Sequence, residues 1–305
     1  MQNKLEIFFS KDWSFGGTQD KTDYELLDTG EGEKLERFGQ YVFVRPYEDA
    51  VWKKTLGKKE WENADGKFWS AKTGAKAGWK FKNKIDKKWS MGYKGVKFLA
   101  SPTPFRHLGF FPEQAVHWDF IEEKINLRKI DLRKPKFLNL FGYTGVASLF
   151  ALRAGAEVTH VDASKQTLEW VKENQKVAGL EKMPMRIILD DALKFLAREE
   201  KRGMKYDAVI MDPPKFGRGP KGEEWKIERD LPKLLAQVRK ILSDDPLFVI
   251  LNSYAIDSSA LSLGYALADA MDGLKGEIKQ GELCILEKST SRAMSLSNTA
   301  IWFDK

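Results

Sequence analysis

From about residue 135 onward, short apolar runs alternate with amphipathic stretches. Phe137–Phe141, Glu157–Val161, Met185–Leu189, Tyr206–Met211 and Leu247–Leu251 have strand length. The segments near 146–154, 165–178, 191–202, 228–242 and 258–272 carry helical apolar spacing. Runs such as Ala208-Val-Ile-Met211 lack a polar face, which predicts strands covered on both sides, as in a parallel sheet. Strand–helix alternation of this kind requires right-handed crossovers and predicts a doubly wound, mostly parallel α/β sheet. Ligands of such sheets bind outside the carboxyl ends of the strands.

The first part of the chain reads differently. Trp61, Trp69, Trp79 and Trp89 recur at intervals of eight to ten, punctuated by Asp65-Gly66, Thr73-Gly74 and Ala77-Gly78, a spacing that suggests a β-meander. Tyr41–Pro46 reads as a strand ended by its proline. Trp79-Lys80-Phe81-Lys82-Asn83-Lys84 alternates aromatic or small with basic residues, so a strand here has an aromatic core face and a lysine face. Pro112 opens a helical pattern through Val116, Phe120, Ile121 and Ile125. Residues 1–130 are thus expected as a smaller β-rich domain, and 131–305 as the α/β domain.

Bulk properties add three points. A chain of 305 residues favours two domains, and 42% hydrophobic with 31% charged residues of mixed sign supports a real core. No apolar run is long enough to span a bilayer, and no signal-peptide apolar region follows Met1. The single cysteine, Cys284, rules out an internal disulfide and fits a reducing, cytoplasmic setting. The net charge of +7 is unevenly placed: residues 51–100 hold 14 Lys, no Arg and 4 acids, for +10, which leaves −3 elsewhere. That window also holds half of the tryptophans. Its lysines can contact RNA phosphates while aromatics stack on unpaired bases, or the tryptophans are core and the lysines a solvated face.

The candidate chemistry sits at strand ends. Phe141-Gly142-Tyr143-Thr144-Gly145 joins the first α/β strand to its helix, with glycines that permit close backbone approach to a ligand. The loop lacks the second glycine of the dinucleotide fingerprint and carries Tyr143 there. That favours an adenosine ligand without a pyrophosphate, such as S-adenosylmethionine. A βα turn with no ligand is the alternative for the loop alone. Asp162 lies 20 residues beyond Gly142, followed by Ala163 and Ser164, where a carboxylate can accept both ribose hydroxyls; it can also cap the next helix. Asp190, Asp191 and Ala192 end the third strand. A carboxylate here can accept from an adenine amino group, and Asp191 can equally be an N-cap.

Met211-Asp212-Pro213-Pro214-Lys215 ends the fourth strand. Two prolines fix φ and remove two donors, leaving rigid carbonyls beside a carboxylate. Such a set can orient the amino or ring-nitrogen edge of a base against a methyl donor, where placement is most of the catalysis. A plain strand-ending Pro-Pro turn is the bland alternative. Lys215–Gly222 is basic and flexible, either a substrate-gripping loop or a crossover. His107, His117 and His160 have no metal spacing, and no metal site is expected.

Residues 135–305 resemble a class I S-adenosylmethionine-dependent methyltransferase, which implies a Rossmann-like sheet of seven strands. Phe137-Leu-Asn-Leu-Phe-Gly-Tyr-Thr-Gly145 with Asp212-Pro-Pro-Lys215 resembles the bacterial 23S ribosomal RNA methyltransferases of 5-methylcytosine and 7-methylguanine type. The lead-in Arg37–Pro46 is similar to that group as well. Phe105–Gln114 stands where those families have a loop that closes over the cofactor, which implies a covering segment over 105–128 with Phe111 and Gln114 as cofactor neighbours. Asn139 stands where many class I enzymes carry Asp, so the methionine ammonium would meet an amide oxygen. Lys215, followed by Phe216, stands where amino-methylating families have a stacking aromatic.

Methylation at cytosine C5 needs a cysteine nucleophile. The fourth and fifth strand ends read Asp-Pro-Pro-Lys and Leu251-Asn-Ser-Tyr254, and Cys284 falls in an apolar late strand. The expected activity is therefore methyl transfer to RNA, ribosomal by resemblance, at a base nitrogen, with Asp212, Pro213, Pro214 and Lys215 as the acceptor-side residues. A protein or small-molecule acceptor, and a catalytically silent RNA-binding protein of the same fold, are the alternatives.

Overall fold

The computed structural model describes residues 4–10, 13, 23–70, 77–128, 133–254 and 258–304. In chain order the strands and helices begin with β1 (Leu5–Phe9), β2 (Tyr24–Gly30), β3 (Glu33–Phe38), β4 (Tyr41–Pro46), α1 (Lys58–Glu62), β5 (Gly66–Trp69), β6 (Gly78–Phe81), β7 (Trp89–Tyr93) and β8 (Val96–Ala100). A 3-10 turn (Pro112–Gln114) leads into α2 (Ala115–Leu127). There follow β9 (Lys136–Leu140), α3 (Val146–Arg153), β10 (Glu157–Asp162), α4 (Lys165–Val177), β11 (Met185–Leu189), α5 (Ala192–Lys201) and β12 (Ala208–Met211). The chain closes with β13 (Phe216–Arg218), β14 (Glu224–Lys226), α6 (Ile227–Ile241), β15 (Phe248–Ser253), α7 (Ala260–Ala270), β16 (Glu277–Leu286) and β17 (Ala293–Phe303).

Two compact units emerge: Met1–Phe8 with Val116–Leu283 and Ser295–Lys305, and Phe9–Ala115 with Cys284–Met294. The division falls at 115/116 where a single cut at 130/131 was expected. The reason lies in α2, whose Trp118 stacks on Phe150 of α3 at 5.4 Å and whose Phe120 meets Phe248 of β15 at 5.4 Å.

The first unit is built on one sheet in the order β1-β16-β17-β15-β12-β9-β10-β11. The run from β15 to β11 is parallel, and β17 is antiparallel to β15. Every residue of β12 and β15 is buried, as the apolar runs Ala208–Met211 and Phe248–Leu251 require. The sheet has eight strands rather than seven. The added strand, β1, takes the outer place beside β16, where Gly281 has no side chain to clash with the Glu6 carbonyl and Gln280 Nε2 donates to Lys4 O at 3.0 Å. Among the described residues no helix is long and apolar enough to cross a membrane.

The second unit holds a five-stranded sheet, β2-β3-β4-β5-β6, and the β7–β8 hairpin. It is not a simple meander: β4 and β5 run parallel, and the crossover between them carries α1, where Trp61 sits. The strand expected over 79–84 ends at Phe81, with Trp79 half-buried and Phe81 exposed, so its aromatic face is only partly core. The Thr73-Gly74 turn lies outside the described residues.

A buried ionic group knits β2, β3 and β4. Glu36 is fully buried, accepts from Arg45 Nε and Nη2 at 2.7 Å each and from Tyr24 Oη at 2.9 Å, and lies 3.3 Å from Lys34 Nζ. Burial alone pushes its carboxyl upward, but Arg45 and Lys34 outweigh that and hold it at about 2. A carboxyl depressed in the folded state contributes stability above its unfolded pKa and loses it as pH falls toward the folded value. Arg45→Ala, which strands the Glu36 charge, should cost about 3–5 kcal/mol in a denaturant melt at neutral pH. Glu36→Gln should abolish the part of the acid destabilisation between pH about 4.5 and about 2 that Glu36 supplies; an unchanged acid limb would remove Glu36 from that role.

Candidate functional site

The first unit brings the strand-end residues into one connected cluster at the carboxyl ends of β9, β10, β11 and β12. Leaving β9, the chain alternates through left-handed conformations: Phe141 at φ 54°, Tyr143 at φ 52° and Gly145 at φ 84°. Two bulky residues held at positive φ are outliers that only the surrounding structure can maintain. Gly142 N donates to Val161 O at 3.0 Å, and Gly145 N donates to Gly142 O at 3.1 Å, so the loop is a closed turn clamped to β10.

Beneath it lies the imidazole of His160. A methyl on Gly142 would sit on the ring, 2.6 Å from Nδ1 and nearer still to Cε1, so no side chain fits there. His160 Nδ1 shares a hydrogen bond with Ser148 Oγ at 3.0 Å, and Ser148 Oγ accepts from Asn139 Nδ2 at 3.0 Å. Burial pushes the imidazole down to about 4, which keeps it neutral under the loop. The Asn139 amide nitrogen is thus committed to Ser148.

Asp162 is the joint of the cluster. Its Oδ2 accepts from Tyr143 N at 2.9 Å; its Oδ1 accepts from Ser164 N at 2.8 Å and Thr167 Oγ1 at 2.9 Å. Burial raises its carboxyl above the usual range, against the pull of these donors. The helix cap is Ser164, whose Oγ accepts from Thr167 N at 3.3 Å, so Asp162 is not the N-cap of α4. Asp191 is the N-cap of α5, accepting from Lys194 N at 3.0 Å, with Ala192 as the first helical residue. Asp190 accepts from Asp191 N at 2.9 Å, pairs with Arg198, and donates its own N–H to Asp162 O at 3.2 Å.

One strand over from the loop, Asp212 N donates to Leu140 O at 3.4 Å, and its Oδ1 accepts from Asn252 Nδ2 at 2.9 Å. Asn252 is fully buried at the end of β15 and accepts in turn from Ser297 Oγ at 3.3 Å. The carbonyls of Asp212-Pro-Pro-Lys are not all on display. Pro214 O accepts from Trp225 Nε1 at 2.6 Å and Lys215 O accepts from Ile227 N at 3.1 Å. The Trp225 ring also meets Phe141 at 5.0 Å, which links the two strand ends. The segment read as a loose grip or crossover is an ordered hairpin, β13–β14, closed by Gly219 N donating to Glu223 O at 2.8 Å and pinned by Glu223 against Lys194 at 2.5 Å. It holds Phe216 61% exposed directly after Lys215.

Phe111 and Gln114 belong to the second unit. Phe111 precedes the 3-10 turn and lies 4.9 Å from the His107 ring; Gln114 closes that turn and is buried. Sequence reasoning missed His160, Ser148, Trp225, Asn252 and Ser297. Asn252 lay in plain view in the segment searched for a cysteine, but its amide has meaning only once β15 stands beside β12.

Comparison with known proteins places the chain. A family model described as "Conserved hypothetical protein 95" matches residues 119–238. The crystal structure of an S-adenosylmethionine-dependent methyltransferase from Agrobacterium tumefaciens is 42% identical, superposes with a TM-score of 0.89, and covers 98% of this chain and 94% of that one. Ribosomal RNA large subunit methyltransferase K/L of Shewanella frigidimarina is 30% identical over 173 residues, 55% of this chain and 23% of that protein. Ribosomal RNA large subunit methyltransferase K of Neisseria meningitidis is 32% identical over 139 residues, 44% of this chain and 39% of that protein. The chain thus spans less than half the length of these curated relatives.

Gly142→Ala should lower the thermal midpoint by an amount equivalent to about 1–3 kcal/mol, the usual cost of overpacking. Combining it with His160→Ala should give less loss than the two single changes added. Strict additivity in the melts would show that the ring is not what excludes a side chain there.

Proposed function

The chain belongs to the S-adenosylmethionine-dependent methyltransferases, and from that premise we propose that it methylates ribosomal RNA at a base nitrogen, without a covalent cysteine adduct. The observation that carries this reading is the Asp212 carboxylate, oriented by Asn252 at the end of β12, on the strand next to the one that feeds the glycine loop. The acceptor class follows the substrate that the two curated relatives' names state.

The residues of the first unit suit an adenosine cofactor. Asn139 offers an amide oxygen for an ammonium, the Phe141–Gly145 turn gives close backbone approach, and Asp162 stands at the end of β10 on the ribose side. Ala163 and Ser164 follow Asp162 into α4, and Asp190, Asp191 and Ala192 border the adenine side; Thr144 completes the turn. Bound there, S-adenosylmethionine supplies an electrophilic methyl group on a sulfonium. Asp212 accepts an N–H of the incoming base and takes or passes on the proton that leaves as the nitrogen gains the methyl carbon. Pro213 and Pro214 hold the backbone still, and the Pro213 carbonyl can receive a further base donor. Lys215 and Phe216 flank the acceptor with a cation for phosphate and an exposed ring for stacking.

Cys284, buried in β16, is the chain's one thiol, which supports nitrogen rather than cytosine C5 as the target, and a cytoplasmic, reducing setting. The test is transfer of tritium from labelled S-adenosylmethionine to ribosomal RNA, with nucleoside mass spectrometry of the product. Asp212→Ala should reduce the rate by at least about 100-fold while cofactor affinity by calorimetry stays near wild type. Equal counts from the variant would take Asp212 out of the mechanism. Label that enters protein, or that persists after RNase treatment, would overturn the RNA acceptor.

A further inference from the structure

The second unit carries a groove of about 970 Å³ whose floor is apolar, formed by Val44, Leu56, Trp61 and Ala64. One wall is the β5–β6 hairpin. In its register Lys67 stands opposite Lys80, and Trp69 opposite Gly78, so these four positions share one face. Two ammonium groups directly across an antiparallel pair repel and weaken the hairpin. Lys67 is compensated by Glu33 at 2.5 Å. Lys80 is exposed and has no ion pair among the described residues. Trp69 is 52% exposed even with the Lys67 ammonium 4.6 Å over one side of its ring. Trp69 and Lys80 thus present a half-exposed ring and a cation without a carboxylate partner on one face, which a ligand with a π-face and a negative charge can engage together.

The charges around the groove favour an anion. Lys54, Lys58, Lys67, Lys80 and Lys82 line it against Glu31, Glu33 and Glu62. Glu33 is already tied to Lys54 at 2.9 Å and to Lys67, and Glu62 to Lys58 at 3.4 Å. Lys82 donates to Glu62 O at 3.1 Å and to Asn63 Oδ1 at 3.3 Å, which holds its charge at the rim. At the end of the hairpin the Phe81 ring crosses the space over Gly66 and stacks on Trp79 at 5.8 Å and 7°. Trp79 and Phe81 belong to the other face of the hairpin, so the face of Lys67 and Lys80 carries one exposed ring, Trp69, beside its cations, a pairing that suits an unpaired base and its phosphate.

We propose that the β5–β6 face of the second unit is a binding surface for single-stranded RNA, with an unpaired base stacked on Trp69 and the adjoining phosphate held by Lys80. This rests on the reading of RNA as the acceptor and adds where the strand is gripped. A duplex does not satisfy the surface, because its bases have no free face to offer Trp69. The lysines give sequence-independent affinity, and Trp69 selects for an unpaired base.

The experiment is fluorescence anisotropy of a fluorescein-labelled oligouridine with the full chain, titrated across salt concentrations, with an RNA duplex of the same length for comparison. Trp69→Ala should weaken oligouridine binding roughly tenfold or more, and Trp69→Phe should keep most of it. Lys80→Ala should flatten the log–log salt slope by about 0.7, the value for one phosphate contact on a single strand. Lys165→Ala, on α4 of the other unit, should change neither. Thermal melts report whether each variant is folded, and Trp69→Phe carries the stacking test if the alanine variant is not. Binding that ignores both Trp69→Ala and Lys80→Ala, or that is as tight for the duplex, overturns the surface. Methyl transfer to RNA by a chain with that behaviour would leave the acceptor reading standing. Trp69-dependent binding with no methyl transfer to any RNA would do the reverse.

Discussion

The arrangement of the first unit depends on how closely the backbone after β9 lies on the His160 ring. Gly142 has no room for a side chain because the imidazole fills that space, and the neutral ring is in turn hydrogen-bonded through Ser148 to Asn139. The turn is clamped by Gly142 N donating to Val161 O, and it holds two non-glycine residues, Phe141 and Tyr143, at positive φ. Asp162 completes the lock from above by accepting the Tyr143 N–H on one oxygen and the start of α4 on the other. Strand β9, strand β10 and two helix starts are thereby fixed relative to one another before any ligand arrives, which is what preorganised binding requires.

The acceptor side is built by the same economy. Two prolines give the Asp212 segment its stiffness, but its direction comes from partners that lie far away in the chain. Asn252 holds the carboxylate, Ser297 holds Asn252, and the Trp225 indole takes the Pro214 carbonyl. Trp225 also touches Phe141, so the donor-side turn and the acceptor-side turn share a wall.

The second unit divides its charges by environment. Inside, Glu36 is saturated by Arg45, Tyr24 and Lys34, and serves the packing of three strands. Outside, along β5 and β6, lysines outnumber the carboxylates that could neutralise them, and aromatic rings remain partly in water. The same residue types thus do two different jobs, set by whether a partner of opposite charge was folded in beside them.

The order of strands and helices after residue 135 was legible in the sequence, because buried parallel strands and amphipathic helices leave apolar periods that survive without any tertiary information. The candidate loops could be located for a related reason: glycine, aspartate and proline mark strand ends, although their local chemistry also serves plain turns and helix caps. What lies far apart in the chain was not legible. Whether Asp191 capped a helix, which carbonyls of Asp212-Pro-Pro-Lys stayed available, that β1 would add an eighth strand, and that Trp61 would sit on a helix between two parallel strands were all decided by which segments came to lie side by side. Local chemistry determines what a residue can do, while its hydrogen-bond capacity is spent on whichever neighbours the fold supplies, and only the tertiary structure names those neighbours.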